Sequence, residues 1–156
     1  RFKWVFVGAF PAQVQEFIQR GEMEFHPWAP LFEYPKLISD LDISMCIAPL
    51  IDSNFNRAKS DIKHIEACAY GLPVALQDMV TYQNAPLKFK TGDEMVDLIA
   101  RVCGDKKLYM AESKNAWDTI QNRWLENPNN LNKYLELYTL PYRHEKRKLL
   151  NAIQDA

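Results

Sequence analysis

Glycine is scarce in this chain, five in 156 residues, and no stretch is rich in glycine and serine, which excludes flexible linkers and low-complexity segments. Cysteine is sparse too, and Cys46, Cys68 and Cys103 are an odd number without paired spacing. That argues against a disulfide framework or a zinc site and predicts reduced core thiols in a cytoplasmic protein. His26, His64 and His144 are scattered in no metal-ligand pattern, so no metal is expected. No apolar run approaches the ~20 residues of a membrane span, and Arg1-Phe2-Lys3-Trp4 does not open a signal peptide. Charge of one sign is lacking as well: 19 basic against 20 acidic residues leave a net charge of −1. Nothing therefore draws the whole protein to nucleic acid or an anionic membrane, and an anion site must be local. The chain has no initiator methionine and opens almost directly on a strand pattern, giving the expectation of a fragment whose upstream half is missing.

What is present is one domain's worth of sequence with enough apolar residues, 47%, to build a core. Short apolar runs alternate with helical patterns through the first part. A buried strand is predicted over 3–8, ending at Gly8. Pro11 then starts a helix with Val14, Phe17 and Ile18 on one face and Gly21 as its stop. A short strand over 23–26 is followed by a helix over 32–41, with Leu37, Ile38 and Leu41 inward. The almost wholly apolar 43–50 reads as a strand covered on both faces. A polar loop over 52–57 leads to a helix over 58–70, capped by Gly71, and then to a strand over 73–76. Residues 87–89 could add a fifth strand. This alternation predicts an α/β fold, a Rossmann-like doubly wound parallel sheet flanked by helices. Residues 1–90 form the expected α/β core. Over 91–156 the pattern turns helical, with helices expected over 93–103, 105–126 and 130–138 and from Pro141, packing on the same domain. Trp4, Trp117 and Trp124 are read as packing residues.

In an open parallel sheet, ligands bind outside the carboxyl ends of the strands. Those ends carry Gly8, the 52–57 loop and Gln77-Asp78. On the helix expected after the third strand, Lys59, Lys63, Glu66 and Tyr70 share one stripe, and Ile62, Ile65 and Ala69 share another that should face the sheet. The polar stripe starts beside the helix N-terminus, where free amides and the helix dipole favour an anion. A phosphate near Ser60, with charge from Lys59 or Lys63 and with Glu66 accepting from sugar hydroxyls, fits this pattern. A solvated helix face with an ordinary Lys63–Glu66 pair fits it as well.

Glu66-Ala67-Cys68-Ala69-Tyr70-Gly71-Leu72-Pro73-Val74 resembles the Glu-Ala-x-Ala-x-Gly-x-Pro-Val signature of the nucleotide-sugar-binding domain of GT-B glycosyltransferases, in particular glycosyltransferase family 4 (group 1). Asp42-Ile43 through Pro49-Leu50 resembles the strand before it, and 32–42 the preceding helix of a subset of such enzymes. The resemblance runs from Val5 to about Asp78 and implies a C-terminal donor-binding domain over which an N-terminal acceptor domain, missing here, would close. The donor implied is a UDP- or GDP-sugar, a substrate with no further cofactor. The acceptor is a glycan or a lipid-linked sugar, as in polysaccharide biosynthesis.

Glu66 matches the second glutamate of the family's Glu-x7-Glu pair, which implies a ribose contact. The first glutamate is replaced by Ala58, and the basic residue that the family carries after the first strand's glycine is absent after Gly8. Diphosphate binding would then fall on Arg57, Lys59, Ser60 and Lys63, with Asn56 standing in for a sugar contact. Fixed cations and helix amides would stabilise the departing diphosphate without a metal. The acceptor's base would lie on the missing half, so the domain alone is expected to be inactive.

The competing class is a non-catalytic α/β binding or structural module that kept the fold and lost the chemistry. A receiver-type signalling domain is a third class, but the acidic pair it requires near the end of the first strand is absent here. Trp28 is read as loop packing, with the edge of a nucleobase pocket as the alternative. The basic run over 143–148, ahead of Leu149, Leu150 and Ile153, reads as a solvated terminal helix, with weak peripheral contact to an anionic membrane as the alternative.

Overall fold

The computed structural model describes residues 2–123 and 127–133, and the chain divides into two compact units, Arg1–Ile43 and Ser44–Ala156. The chain is α/β. Its parallel strands fall into two small sheets, not the one sheet expected.

In the first unit, β1 (Trp4–Gly8) pairs in parallel with β2 (Met23–Pro27), Trp4 opposite Met23 and Gly8 opposite Pro27. Parallel pairing requires a crossover, supplied by a 3-10 turn (Ala12–Val14) running into α1 (Gln15–Gln19). Gly21, at φ +71°, reverses the chain after α1. The expected apolar face of α1 is only partly realised. Val14 and Ile18 are half-buried, whereas Phe17 is exposed with the Arg20 guanidinium over its ring. Phe10 meets Phe25 edge-on, ring centres 4.7 Å apart. Beyond β2, α2 (Tyr34–Asp40) starts with Pro35 in its first turn and buries Ile38.

In the second unit, β3 (Cys46–Ala48), β4 (Val74–Gln77) and β5 (Lys88–Phe89) form a parallel sheet in that order, with Ala48 opposite Leu76 and Leu76 opposite Lys88. β3 is shorter than the apolar run over 43–50 suggested, because Pro49 offers no N–H to continue the ladder. The crossover to β4 carries α3 (Asn54–Arg57) and α4 (Ile62–Ala69). After β5 come α5 (Gly92–Gly104) and α6 (Lys106–Arg123), and 128–133 is again helical.

β4 is the centre of this unit, and its alternation feeds two cores. Val74 and Leu76 pack with Ala48, Ala67, Tyr82 and Ala85, while Ala75 points the other way to Leu87, Phe89, Leu98 and Val102. A third cluster joins Cys68 of α4 to Ala116 and Ile120 of α6. The Tyr109 hydroxyl donates to the Ser44 carbonyl at 3.0 Å, tying α6 to the start of β3. Trp117 is 48% exposed and is not the packing residue expected. Trp124, the helix from Pro141 and the basic 143–148 run lie outside the described residues.

Candidate functional site

Because β3 and β4 are adjacent and parallel, the chain segments leaving their carboxyl ends emerge side by side. The first is a tight loop leading into α3. Ser53 caps that helix, its Oγ accepting from the Asn56 N–H at 3.2 Å. The Asn56 amide nitrogen donates to the Ile51 carbonyl at 2.8 Å, and Arg57 Nε and Nη2 donate to the two Asp52 oxygens at 2.6 and 2.7 Å. That guanidinium holds the Asp52 carboxyl below the usual range, and the carboxylate holds Arg57 above its own. The second segment, after β4, forms a 3-10 turn over Val80–Tyr82. Thr81 Oγ1 donates to the Asn56 carbonyl at 2.7 Å and latches the two segments together.

Between them lies a cleft of about 300 Å³. Arg57, Lys59, Ser60, Asp61 and His64 line one side, and the 80–85 segment, including Thr81 and Asn84, lines the other. Three of the expected diphosphate residues therefore share one wall of one cleft. Lys59 has its ammonium 4.6 Å from the centre of the Phe55 ring, an exposed cation–π contact.

The helix beside this cleft differs from expectation. A single helix over 58–70 is absent; α3 ends at Arg57, residues 58–61 turn, and α4 starts only at Ile62. Ser60 and Asp61 favour such a break, since short polar side chains compete with helical backbone bonds. The Asp61 carbonyl accepts from the His64 and Ile65 amides at 2.9 and 3.1 Å. Its carboxylate is gripped by Arg123 of α6, which donates through Nη1 and, at 3.1 Å, Nη2. The resulting rotation of α4 places His64, Ala67 and Cys68 inward and leaves Ile62 and Ala69 exposed. This reverses the stripe of Ile62, Ile65 and Ala69 assigned to the sheet; of these, Ile65 alone packs, against the Cys68 cluster.

Lys63 Nζ donates to Glu66 Oε2 at 2.8 Å, and neither residue lines the cleft. Asn56 does not line it either: its side-chain nitrogen serves the loop, and its Oδ1 is buried without a hydrogen-bond partner. Gly8 belongs to the first unit. It is buried at φ +87°, and a Cβ there would come within 2.9–3.1 Å of the Trp28 ring, which is otherwise 77% exposed. Trp28 therefore packs on a glycine at a strand end.

Two features of the cleft had no role assigned from the sequence, His64 and the 80–85 wall. The polar Gln83-Asn84 pair just beyond an apolar strand was the available signal for the second. His64 had none, because a histidine flanked by Lys63 and Ile65 fits either helix face. Burial pushes the thiols of Cys46 and Cys68 up to about 11, consistent with inert packing groups. Among the described residues no group of three His, Cys, Asp or Glu side chains could hold a metal ion, and no helix is long and apolar enough to cross a membrane. A comparison with known protein families finds no match, and neither do comparisons with curated proteins and with solved structures.

Proposed function

We infer that this chain is the donor-binding half of a glycosyltransferase that moves a hexosyl group from a UDP- or GDP-sugar to a glycan or lipid-linked acceptor, the acceptor domain lying upstream. The observation that carries this reading is the cleft at the carboxyl edge of β3 and β4, where Arg57, Lys59 and Ser60 converge. It lies against the helix bearing the glycosyltransferase-like signature. In that signature Ala67 and Pro73 are buried, Gly71 takes φ +65°, and Val74 begins β4. These placements give Ala67, Gly71 and Pro73 of the motif a physical reason, whereas its second alanine, Ala69, is exposed. The reading carries with it a Rossmann-like, doubly wound fold, supported by the parallel β3–β4–β5 sheet and its helical crossover.

The cations divide by availability. The exposed contact between Lys59 and Phe55 is worth about 0.5–1 kcal/mol, less than the about 1.5–3 kcal/mol of a hydrogen bond to a charged group. A diphosphate can therefore draw Lys59 away from the ring. Lys63, paired with Glu66 outside the cleft, is not positioned to do the same without moving. Glu66, 35% exposed at its side chain, stays available for hydroxyl groups only if that pair opens. Titration of UDP and GDP into the protein by calorimetry tests the assignment. Lys59→Ala should weaken diphosphate binding about tenfold, and Lys63→Ala less than about threefold. The reverse order, or equal losses for the nucleoside and the diphosphate, would contradict it.

A non-catalytic module is the second reading. Its specific support is that Arg57 and Lys63 already face Asp52 and Glu66, and that Ala58 stands in place of a glutamate. It predicts no turnover of UDP- or GDP-sugars by the intact protein.

A further inference from the structure

His64 is 5% exposed, and it is the buried polar residue of the described cores. No hydrogen bond reaches its ring from any described residue, although its backbone amide caps onto Asp61. A polar group sealed in a core without a partner costs roughly 1–3 kcal/mol. Here the residue instead lines the polar cleft, within the first turn of the eight-residue helix α4. A deeply seated, unpartnered donor-acceptor ring thus lines the same cleft as Lys59 and Ser60.

We propose that His64 is a ligand-contacting residue of this cleft, its imidazole N–H donating to an oxygen of a tetrahedral oxyanion that Lys59 and Ser60 also hold. The inference deepens the donor reading, on which it rests for the identity of that oxyanion as a diphosphate. It also supplies a regulation of the site.

The charged and titratable groups around the ring set the sign. Asp61 is neutralised by Arg123 of α6. Glu112 of α6 lines a small hollow shared with His64 and Cys68. Arg57 and Lys59 line the cleft, and Tyr82, raised by burial, is a neutral phenol. In the empty protein, burial holds the His64 imidazole uncharged to lower pH than usual, opposed by Asp61 and aided by Arg123. An oxyanion on the ring favours the imidazolium, so binding takes up a proton and affinity rises as pH falls.

The test is NMR of the histidine side-chain nitrogens during titration with sodium sulfate and, separately, with UDP-glucose. Both ligands keep a constant charge over the range used. With sulfate, the His64 resonances, assigned by their loss in His64→Gln, should shift and the ring should protonate at higher pH. Wild-type affinity should rise about tenfold from about pH 7.5 to about pH 5.5, and His64→Gln, which keeps an N–H donor, should bind without that dependence. Unmoved His64 resonances at saturating sulfate, no sulfate binding, or an unchanged pH dependence in His64→Gln would each overturn the proposal. If the variant fails to fold, through-bond correlation from the His64 backbone assigns the ring in the wild type, whose spectra then decide the matter. UDP-glucose binding with a silent His64 defeats this inference and leaves the donor reading standing. A sulfate response at His64 without binding of either UDP-glucose or GDP-mannose does the opposite.

Discussion

Gly8 and Gly71 both hold φ in the left-handed region, +87° and +65°, where an L side chain costs about 1–2 kcal/mol. They differ in what surrounds them. A Cβ on Gly8 would meet the Trp28 ring, and a Cβ on Gly71 would meet nothing within 4 Å. Gly8→Ala should therefore destabilise the protein more than Gly71→Ala in urea denaturation, by about 1 kcal/mol, and a Trp28→Ala background should remove the excess. Equal costs in both backgrounds would contradict the stacked ring. The sequence made Gly8 readable as the end of an apolar strand. It did not reveal the tryptophan, because that contact joins residues on either side of the β1–β2 crossover. Arg57, Lys59 and Ser60 were readable as cleft residues for the same positional reason, since they follow an apolar strand. Asn56 was not, because its amide is diverted to Ile51 and its carbonyl to Thr81, partners that spacing does not disclose.

At the scale of elements, strands were more legible than the helix beside the site. Val, Ile, Leu and aromatic runs marked β1, β3 and β4 within a few residues, since a strand covered on both faces has little freedom in composition. The start and phase of α4 depend on a tertiary contact. Ser60 and Asp61 fit a helix interior or a helix start, and Arg123, 62 residues away, selects the start by gripping Asp61. That guanidinium, chiefly through its hydrogen bonds, holds the Asp61 carboxyl below the usual aspartate range. A carboxyl depressed by folding adds stability above its ordinary titration range, and the contribution is lost as pH falls through the lowered folded value. Both side chains remain partly exposed, so screening limits the pair to about 0.5–1 kcal/mol. Asp61→Asn should be less stable than wild type by about that amount at neutral pH, and the two should converge near about pH 2 in denaturation curves. A difference that persists in acid would assign the effect to something other than the charge pair.

For the whole molecule, the alternation of strand and helix patterns was a fair guide to the α/β class. It carries no mark of the division between Ile43 and Ser44. The 1–43 unit holds one parallel pair and the 44–156 unit a three-stranded sheet, with α5 and α6 packed onto the latter. Alternating strand and helix patterns look the same whether strands join one sheet or two, because pairing is decided by partners and not by periodicity. What the second unit presents is a polar cleft at the carboxyl edge of its sheet, walled by 57–64 and 80–85. The most direct test follows amide resonances while UDP-glucose and GDP-mannose are added to the intact chain. The account predicts saturable shifts concentrated in 57–64 and 80–85 with at least one of the two. Shifts confined to other surfaces, or none at millimolar ligand, would contradict it.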